Sequence, residues 1–168
     1  GCLNVLLASG RLDAARLAGL RILIWSEVPV GAGVSSSAAL EVATMTALSS
    51  SFGIALDGME LARLCQVVEN EIVGAPCGIM DQVACALGRP NELLVLKCQP
   101  HDVLGYQPIP PGWEIVGIDS GVKHSVGGRN YTRARVATFM GLKVLQTQSR
   151  DTWSGYLCNI SPEVWRPW

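Results

Sequence analysis

Residues 29–41, PVGAGVSSSAALE, set two glycines and three consecutive serines between two apolar stretches. Glycine lets a backbone turn tightly and bring its N–H groups close to a ligand. The first turn of a following helix adds unpaired N–H donors and the positive end of its dipole. Phosphate is the natural guest of such a loop. A Walker loop would need GK[ST] and a dinucleotide loop GxGxxG, but here Ser36 stands where the third glycine belongs and no lysine is in reach. Ser35, Ser36 and Ser37 acting only as helix caps is the plain alternative.

A second stretch, VENEIVGAPCGIMDQ (68–82), places Glu69, Glu71 and Asp81 around a turn rich in glycine and proline. Carboxylates there can bind magnesium and steer a proton. Mg²⁺ in nucleotide sites takes one or two protein oxygens plus phosphate oxygens, so a loop serine and a glutamate from the next helix suffice. Taken singly, each has a plain reading: a glutamate on an amphipathic helix is ordinarily a solvated face, and Asp81 is a helix cap. The two histidines, His101 and His124, stand alone and form no metal-ligand cluster. The six cysteines include no CxxC pair, and they read as free thiols, with Cys65 and Cys85 as small core residues.

The elements that must position these residues follow from hydrophobic periodicity. LRILIWSEV (20–28) reads as a strand leading into the loop, so the loop is expected at a strand-to-helix junction. A helix is expected from about Ser36 to Phe52, with Leu40, Ala43, Ala47 and Leu48 on one face and Gly53 at its end. Asp57 and Glu60 have capping-box spacing, and Leu61, Leu64, Cys65, Val68 and Ile72 continue a second helix that Gly74 and Pro76 stop. CGIMDQVACALG restarts a helix with Asp81 near its beginning. ELLVLK (92–97) and WEIVGID (113–119) read as strands separated by YQPIPPG, which cannot be a central strand, and a last helix spans about Asn130 to Gln148. Before the loop, residues 1–19 are weakly patterned, with LDAARLAGL compatible with a short helix; the tail beyond the last helix is rich in Trp and without periodicity.

With 168 residues, nearly half of them apolar, the chain can bury a sizeable core. A net charge of −1 with 16% charged residues supplies no basic face for nucleic acid and no polybasic membrane anchor. The apolar stretches are interrupted by Arg21, Glu27 and Glu41 before reaching membrane-helix length, and no basic leader opens the chain. The expectation is a soluble, cytoplasmic protein with small-molecule partners, and an initial Gly in place of Met hints at a fragment.

PVGAGVSSSAALEVA and ENEIVGAPCGIMDQ together closely resemble the second signature and the catalytic-aspartate region of the GHMP kinases (galactokinase, homoserine, mevalonate and phosphomevalonate kinases), within the galactokinase branch. DSGVKHSVGGRNYTRAR (119–135) is similar to that branch's sugar-proximal segment, and its HSVGG, with YLCNISP near the C-terminus, resembles the L-arabinokinase type more than ordinary galactokinases. The resemblance covers roughly residues 20–147 plus YLCNISP. Carried over by motif, it implies a phosphate loop of Gly31, Ala32, Gly33, Val34, Ser35, Ser36 and Ser37. Magnesium positions are implied at Ser37 and Glu69, a catalytic aspartate at Asp81, and sugar-contacting positions at Gly78, Asp81 and Tyr131. The implied fold is the family's α+β N-terminal domain of ribosomal-protein-S5-like type, here incomplete. On that reading 1–148 is a partial ATP-binding and catalytic domain, and 149–168 a truncated tail from the start of a mostly missing second lobe. The family's arginine-bearing first motif and glycine-rich third motif are absent, which suits an internal piece of a kinase.

The implied reaction moves the γ-phosphoryl group of ATP, with Mg²⁺, to the anomeric hydroxyl of a monosaccharide such as L-arabinose or D-galactose. Asp81 would take the hydroxyl proton or orient the hydroxyl. Two other readings stand beside it: a non-catalytic sugar- and ATP-binding regulator of galactokinase type, against which the retained SSSAA argues, and a folded fragment without a ligand.

Overall fold

The computed structural model describes residues 1–121, 129–149, 155–161 and 163. They belong to two compact units, Gly1–Ser125 and Val126–Trp168. The first unit holds helices α1 (Cys2–Ala8), α2 (Ser36–Phe52), α3 (Gly58–Val67) and α4 (Met80–Leu87), followed by strands β1 (Glu92–Lys97) and β2 (Asp102–Pro108). The second holds α5 (Arg129–Ser149) and a 3-10 turn, Leu157–Asn159, which touch one another. This mixture of helices with a small sheet is the expected α+β class.

Helices α2, α3 and α4 pack on one another, and α1 lies against α2 and α3. Their shared core contains Leu6, Leu12, Val42, Met45, Leu48, Leu61, Cys65 and Val68. A second cluster joins α3 and α4 to the sheet: Ala62, Ile79 and Val83 meet Leu94, Leu96 and Val103. The sheet is a single antiparallel pair, β1 on β2, with a bulge where Val95 faces Gly105 and Leu96 faces Val103. Tyr106 on β2 donates its hydroxyl hydrogen to the Leu87 carbonyl at the end of α4, 2.9 Å. The sheet is thereby tied to the helix that carries Asp81.

α2 begins at Ser36 and ends at Phe52 as expected, with Gly53 in the left-handed conformation (φ +66°) accepting no side-chain penalty. Its buried face differs from the expected one. Ala38, Glu41, Val42, Met45, Leu48 and Ser49 point inward, whereas Leu40, Ala43 and Ala47 are exposed. Two polar residues, Glu41 and Ser49, sit in the core-facing stripe and disguised it. At α3 the Asp57 carboxylate caps the Glu60 N–H at 2.7 Å, half of the anticipated capping box; the Glu60 side chain pairs with Arg11 instead. The α pattern does not run on to Ile72. Residues Val68–Val73 form a wider π-helical turn closed by Gly74 (φ +78°), and this rotates Ile72 out to half-exposure.

Other expectations give way. Residues 20–28 and 113–119 are not strands: no partner strand lies beside them among the described residues, and Leu23 (94% exposed) and Ile118 (93%) point to solvent. β2 instead comes from 102–108, which takes in the first three residues of YQPIPPG; its ladder lies at a two-strand edge that tolerates Pro108 at its end. α1 was hidden because Gly1–Ser9 lacks caps and a polar face, while LDAARLAGL forms only the 3-10 turn Ala14–Arg16, capped by Asp13. All six cysteines are free; Cys65 is buried as expected, but Cys85 is exposed. No described helix is long and apolar enough to cross a membrane.

Candidate active site

The loop reaches α2 through three left-handed residues, Gly31 (φ +72°), Gly33 (φ +74°) and Ser35 (φ +57°). A Cβ built on Gly31 or Gly33 would meet no atom within 4 Å, so the loop backbone borders open space. Serine in the left-handed region costs about 1–2 kcal/mol, a conformation that the surroundings must hold. A hydrogen bond from outside the loop does so: Ser35 Oγ donates to Asp81 Oδ1 on α4 at 2.7 Å. Because that hydroxyl is turned to Asp81, Ser35 makes no side-chain cap on α2. Plain capping by this serine, the alternative read from sequence, is not what the loop does. The first N–H groups of α2 face the loop without a Ser35 side chain on them, the arrangement that suits an anion.

Asp81 is half-buried in the first turn of α4, and the segment leading to it is fastened to α3 and the π turn. Asn70 Oδ1 accepts from the Cys77 N–H at 2.8 Å, and Gln66 Nε2 donates to the Cys77 carbonyl at 3.3 Å. Gly78 follows, exposed, with open space where a Cβ would project. Two segments 46 residues apart in sequence thus converge, the glycine-turned loop and a carboxylate.

Behind them lies a polar cluster in the core. Glu69 is 5% exposed, not the solvated helix residue of the plain reading, because it continues the inward stripe of Ala62 and Cys65. Its carboxyl group meets that of Glu41 (7% exposed) from α2. No N–H donates to the enclosed Glu69 Oε2. Burial, a hydrogen bond to Glu69 and the negative charge there push the Glu41 carboxyl up to about 8. Gln82, 1% exposed and next to Asp81, donates Nε2 to Glu41 Oε2 at 3.4 Å and to Cys77 Sγ at 3.7 Å. Burial raises the Cys77 thiol as well.

Ser37 is exposed in the first turn of α2, whereas Glu69 is buried. Among the described residues no group of three or more His, Cys, Asp or Glu is placed to hold a metal with protein ligands alone. The donor set of a hydroxyl and a carboxylate oxygen free of N–H donors fits Mg²⁺ only where phosphate oxygens supply the remaining ligands, which is how that ion binds in nucleotide sites. Tyr131 lies on α5 in the second unit, 39% exposed. His124 and the HSVGG wording fall in 122–128, outside the described residues. Reasoning from sequence missed Glu41 and Gln82. The available signal was that Glu41 is the one charged residue in the 17 of α2.

Residues 2–89 match the family model described as GHMP kinases N terminal domain. The chain is 49% identical over 130 residues to L-arabinokinase of Arabidopsis thaliana, a match covering 77% of this chain and 12% of that protein. It is 42% identical over 132 residues to galactokinase of Chloroflexus aggregans, covering 77% of this chain and 33% of the relative. Against galactokinase of Thermotoga maritima it is 38% identical over 146 residues, covering 85% and 41%. The chain thus spans between about an eighth and two fifths of the length of these relatives. The matched span takes in the loop, α2, Glu69 and Asp81, so the residues that drew attention by their chemistry lie inside it, and the chain belongs to the GHMP kinases.

Proposed function

We propose that the chain carries the ATP-binding and catalytic part of a sugar 1-kinase, which transfers the γ-phosphoryl group of ATP to the anomeric hydroxyl of L-arabinose or D-galactose. The observation that carries this reading is the Ser35–Asp81 hydrogen bond, which fixes a carboxylate beside a glycine-turned loop at a helix N-terminus. Phosphoryl transfer depends on positioning and charge stabilisation, and both parts of that requirement have residues here. N–H groups of Gly31 to Ser37 and the dipole of α2 take the phosphates. Asp81 orients the sugar hydroxyl and accepts its proton, with Ser35 holding the carboxylate in place. Ser37 and Glu69 are the protein positions for Mg²⁺, which when bound neutralises charge on the phosphate oxygens. Gly78, without a side chain, leaves room for the sugar next to Asp81, and Tyr131 is assigned to the sugar as well. Residues 1–148 then belong to the catalytic domain and 149–168 to the start of a second lobe, in a cytoplasmic enzyme.

The test is formation of ADP and sugar 1-phosphate from Mg-ATP, with L-arabinose and D-galactose supplied separately. These sugars differ by one hydroxymethyl group, so the ratio of their rates reports pocket size. Sugar-dependent ADP release, matched one to one by sugar 1-phosphate, is expected of the complete enzyme, and much less of residues 1–168 alone. Sugar and nucleotide that raise the melting temperature without ADP release would replace the kinase by a binding protein. No response to either would remove both readings.

A further inference from the structure

The polar cluster behind the loop has no part in the reading above apart from Glu69. Three observations converge on Glu41. It is buried in the core of the first unit, its carboxyl group meets that of Glu69, and Gln82 donates to its Oε2. Charged and polar side chains in a core are costly unless something holds them. Glu41 also lies one turn after Ser37 on α2, at the i, i+4 spacing that puts two residues on one side of a helix. Gln82 is the chain neighbour of Asp81. Glu41 therefore stands where the Ser37 helix, the Glu69 turn and the Asp81 helix are joined by side chains.

We propose that Glu41 is a positioning residue: from α2 it fixes the carboxyl group of Glu69, and Gln82 fixes Glu41 in turn, so that Glu69 presents one oxygen to a divalent cation. The proposal rests on the kinase reading, in which Glu69 and Ser37 hold that cation. Glu41 acts only through Glu69 and touches neither metal nor substrate. The geometry that favours this role over a mere packing role is the enclosed Glu69 carboxyl group, to whose Oε2 no N–H donates. Glu69 Oε2 is itself enclosed, which leaves the contact with Glu41 to hold this carboxyl group. An enclosed carboxyl group without N–H donors depends on such a contact to keep its orientation.

The test uses the whole chain and Mn²⁺ with ADP, reading bound Mn²⁺ by electron paramagnetic resonance and, separately, ADP affinity in EDTA. Glu41→Leu keeps the volume and removes the polar contacts. It should weaken Mn²⁺ binding about 10- to 100-fold, the usual cost of removing a residue that orients a metal ligand, with metal-free ADP affinity unchanged. Glu41→Gln retains an acceptor for Gln82 and a donor for Glu69, and should stay within about threefold of wild type. Glu41→Asp keeps the carboxyl group but withdraws it by one methylene; it should weaken Mn²⁺ binding, and it decides the matter if Glu41→Leu does not fold. Wild-type Mn²⁺ affinity in Glu41→Leu or Glu41→Asp overturns the proposal. So does a loss in Glu41→Gln as large as in Glu41→Leu, which would make the carboxylate itself a ligand. Glu69→Gln separates the two levels. If it leaves Mn²⁺ binding unchanged, or if wild type binds none, the metal assignment of the kinase reading falls and takes the proposal with it. If Glu69→Gln abolishes binding while the Glu41 variants do not alter it, the proposal alone falls.

Discussion

Asp81 accepts a hydrogen bond from a hydroxyl that the loop itself supplies, so the carboxylate and the loop backbone proposed to bind phosphate are set by one contact. Replacing Asp81 by Asn keeps the shape and removes the proton acceptor. In sugar-dependent turnover by the complete enzyme, kcat should fall at least ~10²-fold, the lower end of what general acid–base assistance contributes, while ADP affinity holds. Equal turnover by the two would remove Asp81 from the chemistry. Gly33 makes a different demand. Its φ of +74° is one that a β-branched residue resists, and the space where a Cβ would stand is open, which is where a phosphate would sit. Gly33→Val should therefore lose measurable ADP binding by calorimetry while circular dichroism stays as in wild type, since no packed atom is displaced. Unaltered ADP affinity in that variant would move the phosphates elsewhere.

The elements show which parts of this arrangement the amino-acid pattern carried. The start and end of α2 were legible because Gly53 can take the left-handed conformation that closes a helix, and because serines break the preceding run. The loop and Asp81 were legible as motifs. Their contact was not, since nothing local to either segment reports a hydrogen bond across 46 residues. The inward face of α2 was hidden because Glu41 and Ser49 occupy it, and periodicity counts polar residues as outward. The burial of Glu69 was hidden for the same reason, although the residue itself stood out as a candidate. Segments 20–28 and 113–119 have strand-like composition, but a strand exists only by pairing, and composition cannot supply a partner. That last point is measurable. Amides of 21–27 and 114–118 should exchange hydrogen near the unprotected rate, while those of Val42 to Ser49 in α2 exchange only through large-scale opening. Protection of 21–27 comparable to α2 would mean that these residues are paired in solution.

Folding stability belongs to the chain as a whole, and Glu41 gives it a pH dependence of known sign. The carboxyl is raised from 4.5 to about 8 in the folded protein, by burial first and then by its contact with Glu69. Other charged and polar groups facing it are the amino terminus and Gln82, both of which pull the value down, so the upward direction is the net result. A group raised in this way contributes stability that is fully present below its unfolded value and is lost as pH rises through its folded value. The folded state holds the proton between these limits and the unfolded chain does not, so stability must fall across that window, by at most ~1.4 kcal/mol per pH unit. For a chain of this size a loss of 1 kcal/mol lowers Tm by about 2–4 °C, so Tm should drop from about pH 5 to about pH 8, by no more than about 16 °C. Glu41→Gln has no proton to lose and should flatten that slope while retaining the hydrogen bond with Gln82. The measurement is a set of thermal melts for both proteins across the range. Parallel slopes would place the titrating group elsewhere, whereas a flat line for Glu41→Gln beside a falling wild type would show that α2 carries a carboxyl whose proton the fold retains at neutral pH.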